Sequence, residues 1–299
     1  MARMMRASHL NPMNSFAQRF LELAGSRSPF CLGIDPTPQL LKAWDLPHRA
    51  DGLARMCETV VAAAEDRLAI VKPQIAFFER FGSKGIEVLE KLIGAFHERG
   101  TLVLVDGKRG DIGSTVEAYA QAYLGPSSVL RADAMTAHAY LGFGSLKPLL
   151  THAVDAGAGV FVVVRSSNVE GTELQTGFLN SDGRSVADSL ADAITEFNQQ
   201  TSGNEIGPVG AVVGATIEND LLPTLDRLRQ SLILAPGIGH QGATFADLRR
   251  RFAQHAARAI PSSSRAVLDR GPDVEQLRSE ILNQINYCKS SNQMSLSDE

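Results

Sequence analysis

Asp106, Lys108 and Asp111 are the residues of this chain whose types and spacing point most directly to chemistry. They lie in Asp106-Gly107-Lys108-Arg109-Gly110-Asp111, directly after an apolar run at 101–105 that reads as a buried strand. Residues two apart in a strand face the same way, so Asp106 and Lys108 project together at the strand's C-terminal end. Gly107 and Gly110 free the backbone to bend there. Ser114 and Glu117 predict a capping box that opens the next helix. An ammonium fixed beside a carboxylate, where a strand turns into a helix, suits proton transfer on a bound ligand. A self-paired charged turn is the competing reading of the stretch.

Positioning such a pair needs a rigid scaffold, and the chain supplies repeated apolar runs. Strands are predicted at 30–34, 68–71, 101–105, 132–136, 159–164, 208–213 and 232–235. The eighth has two possible registers, 265–268 or 258–264, and only the second leaves Arg265 at its end. Helical spacing follows each strand, as in Leu53, Met56, Val60 and Val61, or Val88, Leu89, Leu92, Ile93 and Phe96. Further helices are predicted at 146–154, 186–197, 221–228, 245–252 and 274–285. The strands are continuous runs and not alternations, as strands covered on both faces should be. Eight β/α units over about 250 residues predict a single-domain α/β (β/α)8 TIM barrel. The barrel is placed at 16–286, with a flexible N-terminus at 1–15 and a polar C-terminal tail at 287–299.

Active residues of such a barrel stand at the C-terminal strand ends. Asp35 ends the first strand before Pro36 and Pro38, which predict a turn. Lys72 ends the second, Ser166-Ser167-Asn168 follow the fifth, and Gly237-Ile238-Gly239-His240-Gln241-Gly242 follows the seventh. The last stretch matches GxGxxG, but a dinucleotide fold would carry it after its first strand. After strand seven of a barrel it suits a phosphate site, with Arg265 or Arg270 as the charged fork. Lys72 reads either as a solvated strand end or as part of a charge array with Asp106 and Lys108.

Composition narrows the function classes. The 299 residues are 44% hydrophobic with a net charge of -4, so there is no basic footprint for nucleic acid. No apolar run approaches the roughly 18 residues of a membrane-spanning helix. The early arginines are followed by no apolar region, which argues against a signal peptide. Cys31, Cys57 and Cys288 show no metal or disulfide spacing, which points to a cytoplasmic protein. The seven histidines show no ligand spacing either. These observations predict an enzyme without metal or cofactor that moves a proton on a phosphorylated small molecule.

The motif Asp106-Gly-Lys108-Arg-Gly-Asp111-Ile112-Gly-Ser-Thr115 closely resembles the DxKxxD signature of the orotidine 5'-phosphate decarboxylase family. Gly33-Ile34-Asp35-Pro36 and Arg165-Ser166-Ser167-Asn168 resemble its longer bacterial (type 2) subgroup, and the likeness spans about residues 16–282. Lys72 together with Pro236-Gly-Ile-Gly-His-Gln241 makes it specific. The resemblance implies decarboxylation of orotidine 5'-phosphate to uridine 5'-phosphate. It implies that Lys108 protonates C6 of the pyrimidine, that Asp106 lies beside the substrate carboxylate, and that Lys72 joins the array and holds the ribose. Asp35 would bind the ribose hydroxyls and Ser167 the pyrimidine. Gly237, Gly239, Gln241 and Arg265 would grip the phosphate, which favours the register ending at Arg265. Asp111, Ile112 and Thr115 would reach into a partner's site, implying a homodimer. The insert at 168–183 departs from the family's compact loop, and His138 with the 142–144 segment matches nothing.

Sister barrels that act on sugar phosphates share DxKxxD but use Mg²⁺ and carry an acidic residue where Lys72 stands. A lysine imine aldolase through Lys108 or Lys72, and a non-catalytic nucleotide-binding scaffold, are the remaining alternatives.

Overall fold

The computed structural model describes residues 14–179, 183–217 and 221–293. Eight parallel strands close into a barrel in sequence order. They are β1 (Cys31–Ile34), β2 (Ile70–Pro73), β3 (Leu102–Arg109), β4 (Ala134–Ala137), β5 (Gly159–Arg165), β6 (Val209–Val213), β7 (Ile233–Pro236) and β8 (Ala259–Ser263). The helices before β4 are α1 (Phe16–Ser26), α2 (Pro38–Ala43), α3 (Ala50–Ala64), α4 (Ala76–Glu79), α5 (Gly82–His97) and α6 (Gly113–Tyr123). Those after it are α7 (Lys147–Asp155), α8 (Glu170–Thr176), α9 (Val186–Ser202), α10 (Leu222–Arg227), α11 (Phe245–Phe252), α12 (Arg265–Leu268) and α13 (Val274–Gln293). The expected (β/α)8 architecture is therefore the one observed.

The apolar runs form strands because both of their faces are covered. One set of strand side chains, including Leu32, Val71, Val103 and Val105, packs under helix residues such as Leu53, Met56, Leu89 and Phe96. A second set fills the barrel's N-terminal half, where Ile70, Leu102, Leu104, Phe161, Leu234 and Ile260 pack against Phe16 and Phe20 of α1. That helix plugs the barrel floor. Ser15 caps it in a capping box with Gln18, and Phe16 meets Phe161 edge-on at 5.7 Å between ring centres. Gly159 allows the approach, since a Cβ there would lie 2.6 Å from the Phe16 ring.

At the floor a largely buried carboxylate is fully bonded. Asp133, just before β4, takes Arg19 of α1 at 2.5 Å and His97 of α5 at 2.9 Å. It also accepts the Val103 N–H at 2.9 Å. Burial would raise the Asp133 carboxyl's pKa, but His97 and Arg19 outweigh it and hold it below the usual carboxylate range. The three cysteines are buried and unpaired. Among the described residues no helix is long and apolar enough to cross a membrane.

Three local expectations need correction, and the insert carries a helix of its own. The chain after β1 does not merely turn, because Pro38 opens α2 as its first residue, with the Thr37 hydroxyl accepting from the Leu40 N–H. The capping box at Ser114 and Glu117 is not formed: α6 begins two residues earlier, at Gly113, and Ile112 occupies its N-cap. The insert at 168–183 carries α8, and Asn180, Ser181 and Asp182 lie outside the described residues. The last helix runs past Ile285 to Gln293, into the segment expected to be a polar tail, because Ile285 and Cys288 still find buried positions. Residues 1–13 of the N-terminal segment and 294–299 of the tail lie outside the described residues.

Candidate active site

At the C-terminal end of the barrel, Asp106 is the hub of a four-donor cluster. Its Oδ1 accepts from Lys108 Nζ at 2.6 Å and from Thr136 Oγ1 at 2.8 Å. Its Oδ2 accepts from Lys72 Nζ at 2.8 Å and Gln74 Nε2 at 3.2 Å. A carboxylate offers about four lone-pair sites, so these donors fill them. The expected same-face projection of Asp106 and Lys108 is thus realised, and Lys72 joins them from the adjacent strand. Burial would raise the Asp106 carboxyl's pKa, but the ammonium groups of Lys72 and Lys108 outweigh it and hold it well below the usual range. Burial would lower the Lys72 ammonium's pKa, but Asp106 and Asp35 hold it above its ordinary value.

The two lysines differ in exposure. The Lys72 side chain is 8% exposed and serves as fixed charge, whereas that of Lys108 is 48% exposed and reaches the mouth of the barrel. Lys108 also has a φ of +42°, a left-handed conformation that residues other than glycine seldom adopt. Backbone strain of this kind gathers at functional positions.

Beside the array lies a pocket lined by Asp35, Lys72, Gly237, Gln241, Ser263 and Arg265, among others. Three of its polar atoms are buried without a hydrogen-bond partner, namely Asp35 Oδ1, Ser263 Oγ and Ser264 Oγ. Unsatisfied buried polar atoms converging on a cavity are what a polar ligand would satisfy. Gly237 and Gly239 take φ values of +114° and +80°, so the backbone after β7 turns in a way that needs glycine. Arg265 is exposed at the end of β8, and no carboxylate among the described residues pairs with it. Arg270, its alternative, lies 3.7 Å from Glu280. The second of the two strand-eight registers is the observed one.

Ser166 and Ser167 separate clearly. Gln175 of α8 occupies both the N–H and the hydroxyl of Ser166. Ser167 Oγ instead donates to Gln241 Oε1 at 3.1 Å, which links the β5 and β7 loops over the pocket. Asp111, Ile112 and Thr115 are not brought into this chain's own site. Asp111 Oδ1 accepts the N–H of Ile112 at 2.8 Å, Ile112 is 61% exposed, and Thr115 is exposed. Sequence reasoning missed Gln74, Thr136, Ser263 and Ser264. The signal for Thr136 is a polar residue inside an otherwise apolar strand, and for the serines it is their run at a strand's C-terminal end.

The model of the orotidine 5'-phosphate decarboxylase / HUMPS family matches residues 28–279. The orotidine 5'-phosphate decarboxylase of Myxococcus xanthus is 51% identical over 267 residues, 89% of this chain and 92% of the relative. That of Salinispora tropica is 46% identical over 282 residues, 93% and 99% of the two chains. A crystal structure assigned to an orotidine 5'-phosphate decarboxylase of Streptomyces avermitilis superposes with a TM-score of 0.87 at 40% identity, covering 96% of this chain and 99% of the other.

Proposed function

The chain belongs to the orotidine 5'-phosphate decarboxylase / HUMPS family, and from that membership we propose that it is a carboxy-lyase converting orotidine 5'-phosphate to uridine 5'-phosphate and carbon dioxide without a metal. The observation that carries the reading is the ring of donors on Asp106, two of them lysines. Breaking the C6–carboxylate bond leaves an electron pair on C6, in the ring plane and without a π sink. The Lys108 ammonium stabilises that pair and then transfers its proton to C6, and the resulting amine regains a proton from solvent. Asp106 and Lys72 hold Lys108 before reaction, so the site has little to reorganise when the charge develops.

The pocket supports a phosphate grip by the backbone at Gly237, the amide of Gln241 and Arg265, whereas Gly239 shapes the turn and its N–H is donated to the Ala243 carbonyl at 2.8 Å. Asp35, with its unsatisfied Oδ1, suits a ribose hydroxyl, and Lys72 adjoins it. Ser167 suits the pyrimidine, since Ser166 is already engaged. The exposure of Ile112 and Thr115, with half-buried Asp111 outside this chain's own array, supports their action in the site of a second copy, as a cytoplasmic homodimer. Lys72 and the filled acceptor sites of Asp106 also favour this reading over a Mg²⁺-dependent sister, since they leave that carboxylate no lone pair for a cation.

The test is the ultraviolet absorbance of orotidine 5'-phosphate mixed with the protein in excess EDTA. Rapid loss of the substrate band with uridine 5'-phosphate as product is expected. No turnover in EDTA, with turnover of a sugar phosphate once Mg²⁺ is added, would move the protein to the sister branch. Mixing inactive Lys108→Ala and Asp111→Ala chains should restore activity, because one heterodimer site would then hold both native residues. No recovery in verified heterodimers would remove the shared site.

A further inference from the structure

Strand β3 carries more chain than its neighbour where the site is built. Its register against β4 runs Leu104↔Ala134 and Val105↔Met135, then resumes at Arg109↔Ala137. Asp106, Gly107 and Lys108 therefore stand opposite Thr136 alone, which makes this a bulge that re-aims side chains. A bulge takes backbone groups out of the ladder, and the left-handed φ of Lys108 adds strain to it.

Thr136 is fully buried and bonds both functional ends of the bulge. Its Oγ1 accepts from the Lys108 N–H at 2.9 Å and donates to Asp106 Oδ1 at 2.8 Å. The directions are forced, because an amide N–H can only donate, leaving the hydroxyl's single proton for the carboxylate. The same Oδ1 accepts Lys108 Nζ at 2.6 Å. A closed ring results: Lys108 backbone, Thr136 hydroxyl, Asp106 carboxylate and Lys108 ammonium. Gln74, by contrast, touches only the other oxygen of Asp106 and contacts neither end of Lys108.

We propose that Thr136 is a positioning residue for the proton donor: its hydroxyl holds the Lys108 backbone in the left-handed conformation and locks the carboxylate that aims the Lys108 ammonium. The inference rests on the reading of Lys108 as the donor to C6. Threonine suits the task because its branched side chain is stiff, so the hydroxyl sits in place before substrate arrives. Valine keeps the shape and removes both bonds. Serine keeps both bonds and loses a methyl group.

The test is steady-state decarboxylation of orotidine 5'-phosphate by the full chain and its variants. Thr136→Val should lower kcat about 100-fold while KM stays within about threefold, since a small misplacement of the donor costs rate and not ground-state binding. Thr136→Ser should keep kcat within about threefold of the parent. Thr136→Ala should fall with valine, which keeps the comparison available if the valine variant does not fold. On a Lys108→Ala background, Thr136→Val should cost nothing further, because the donor it serves is gone. Thr136→Val at parental kcat, serine as impaired as valine, or a full extra loss on the Lys108→Ala background would each overturn the inference. Failure of the unsubstituted chain to decarboxylate would overturn the reading of the site and the inference with it. Decarboxylation by that chain with an unaffected Thr136→Val overturns the inference alone.

Discussion

The barrel's two ends handle buried charge differently. At the floor, Asp133 is shared by Arg19, His97 and a backbone N–H, beneath a plug of stacked aromatic rings. At the mouth, Asp106 is equally well bonded, yet the groups around it are left poised. Lys108 stands half exposed on a left-handed backbone, Asp35 and two serines keep unsatisfied atoms, and Arg265 has no carboxylate beside it among the described residues. The floor spends its polar contacts on holding strands and helices together. The mouth keeps donors and acceptors for something not yet bound. The difference follows the division between stability at one barrel face and chemistry at the other.

The substitution expected to do most is Asp106→Ala, because Asp106 belongs to both categories. Buried Lys72 would lose the carboxylate it hydrogen-bonds and keep only the more distant charge of Asp35, costing about 3 kcal/mol of stability. Decarboxylation should fall by roughly 10⁴-fold as the lysines lose their anchor. Denaturant unfolding and turnover would measure the two losses separately, and a loss in only one would show that the hub is not shared. Phe16→Ala tests the floor alone. It should cost about 3–5 kcal/mol of unfolding free energy through cavity formation while kcat per folded molecule stays near parental. A large drop in kcat at full folding would break the division.

Arg265→Ala tests the mouth alone, on its binding side. The loss of a charge-assisted contact should raise KM by about 10- to 100-fold with no change in melting temperature. An unchanged KM would take Arg265 out of the phosphate grip. The smallest effect is expected from Asp133→Asn, at about 1–3 kcal/mol. The folded Asp133 carboxyl is held below its ordinary value, so its stabilisation is present above the unfolded pKa near 3.9 and fades as pH falls toward the folded one. The substitution should therefore cost more at pH 7 than at pH 3. Equal costs at both would mean that ionised Asp133 does not stabilise the floor.

The sequence shows the mouth of this barrel better than its floor. Asp106, Lys108 and Lys72 are charged residues ending apolar strands, which marks them in the sequence, although the meeting of Asp106 and Lys108 is made by a bulge and not by regular strand alternation. Asp133 looks like part of strand four in the sequence, and its partners Arg19 and His97 come from helices distant in the chain. Helix α1 was unread because its role as a plug depends on the barrel it closes. Strand β8 was ambiguous for a local reason: Ala259–Ser263 contains Pro261 and ends in serines, a composition that reads against a central strand. Family resemblance favours that register, and the closed sheet shows it. Thr136 was missed because its partners are the backbone and carboxylate of a bulge, and a bulge has no periodic signature. The shared-site role proposed for Asp111, Ile112 and Thr115 rests on family resemblance, since within one chain they bond nothing in the array.

The most direct test of the account is to measure turnover and melting temperature on one preparation of Lys108→Ala. The account predicts that kcat for orotidine 5'-phosphate falls by roughly 10⁴-fold or more, with uridine 5'-phosphate still bound and the melting temperature unchanged within about 2 °C, because Lys108 is poised for chemistry and is not part of the fold's support. Near-parental turnover would contradict the assignment of the proton donor, and a collapse of the melting temperature would contradict the separation of the two ends.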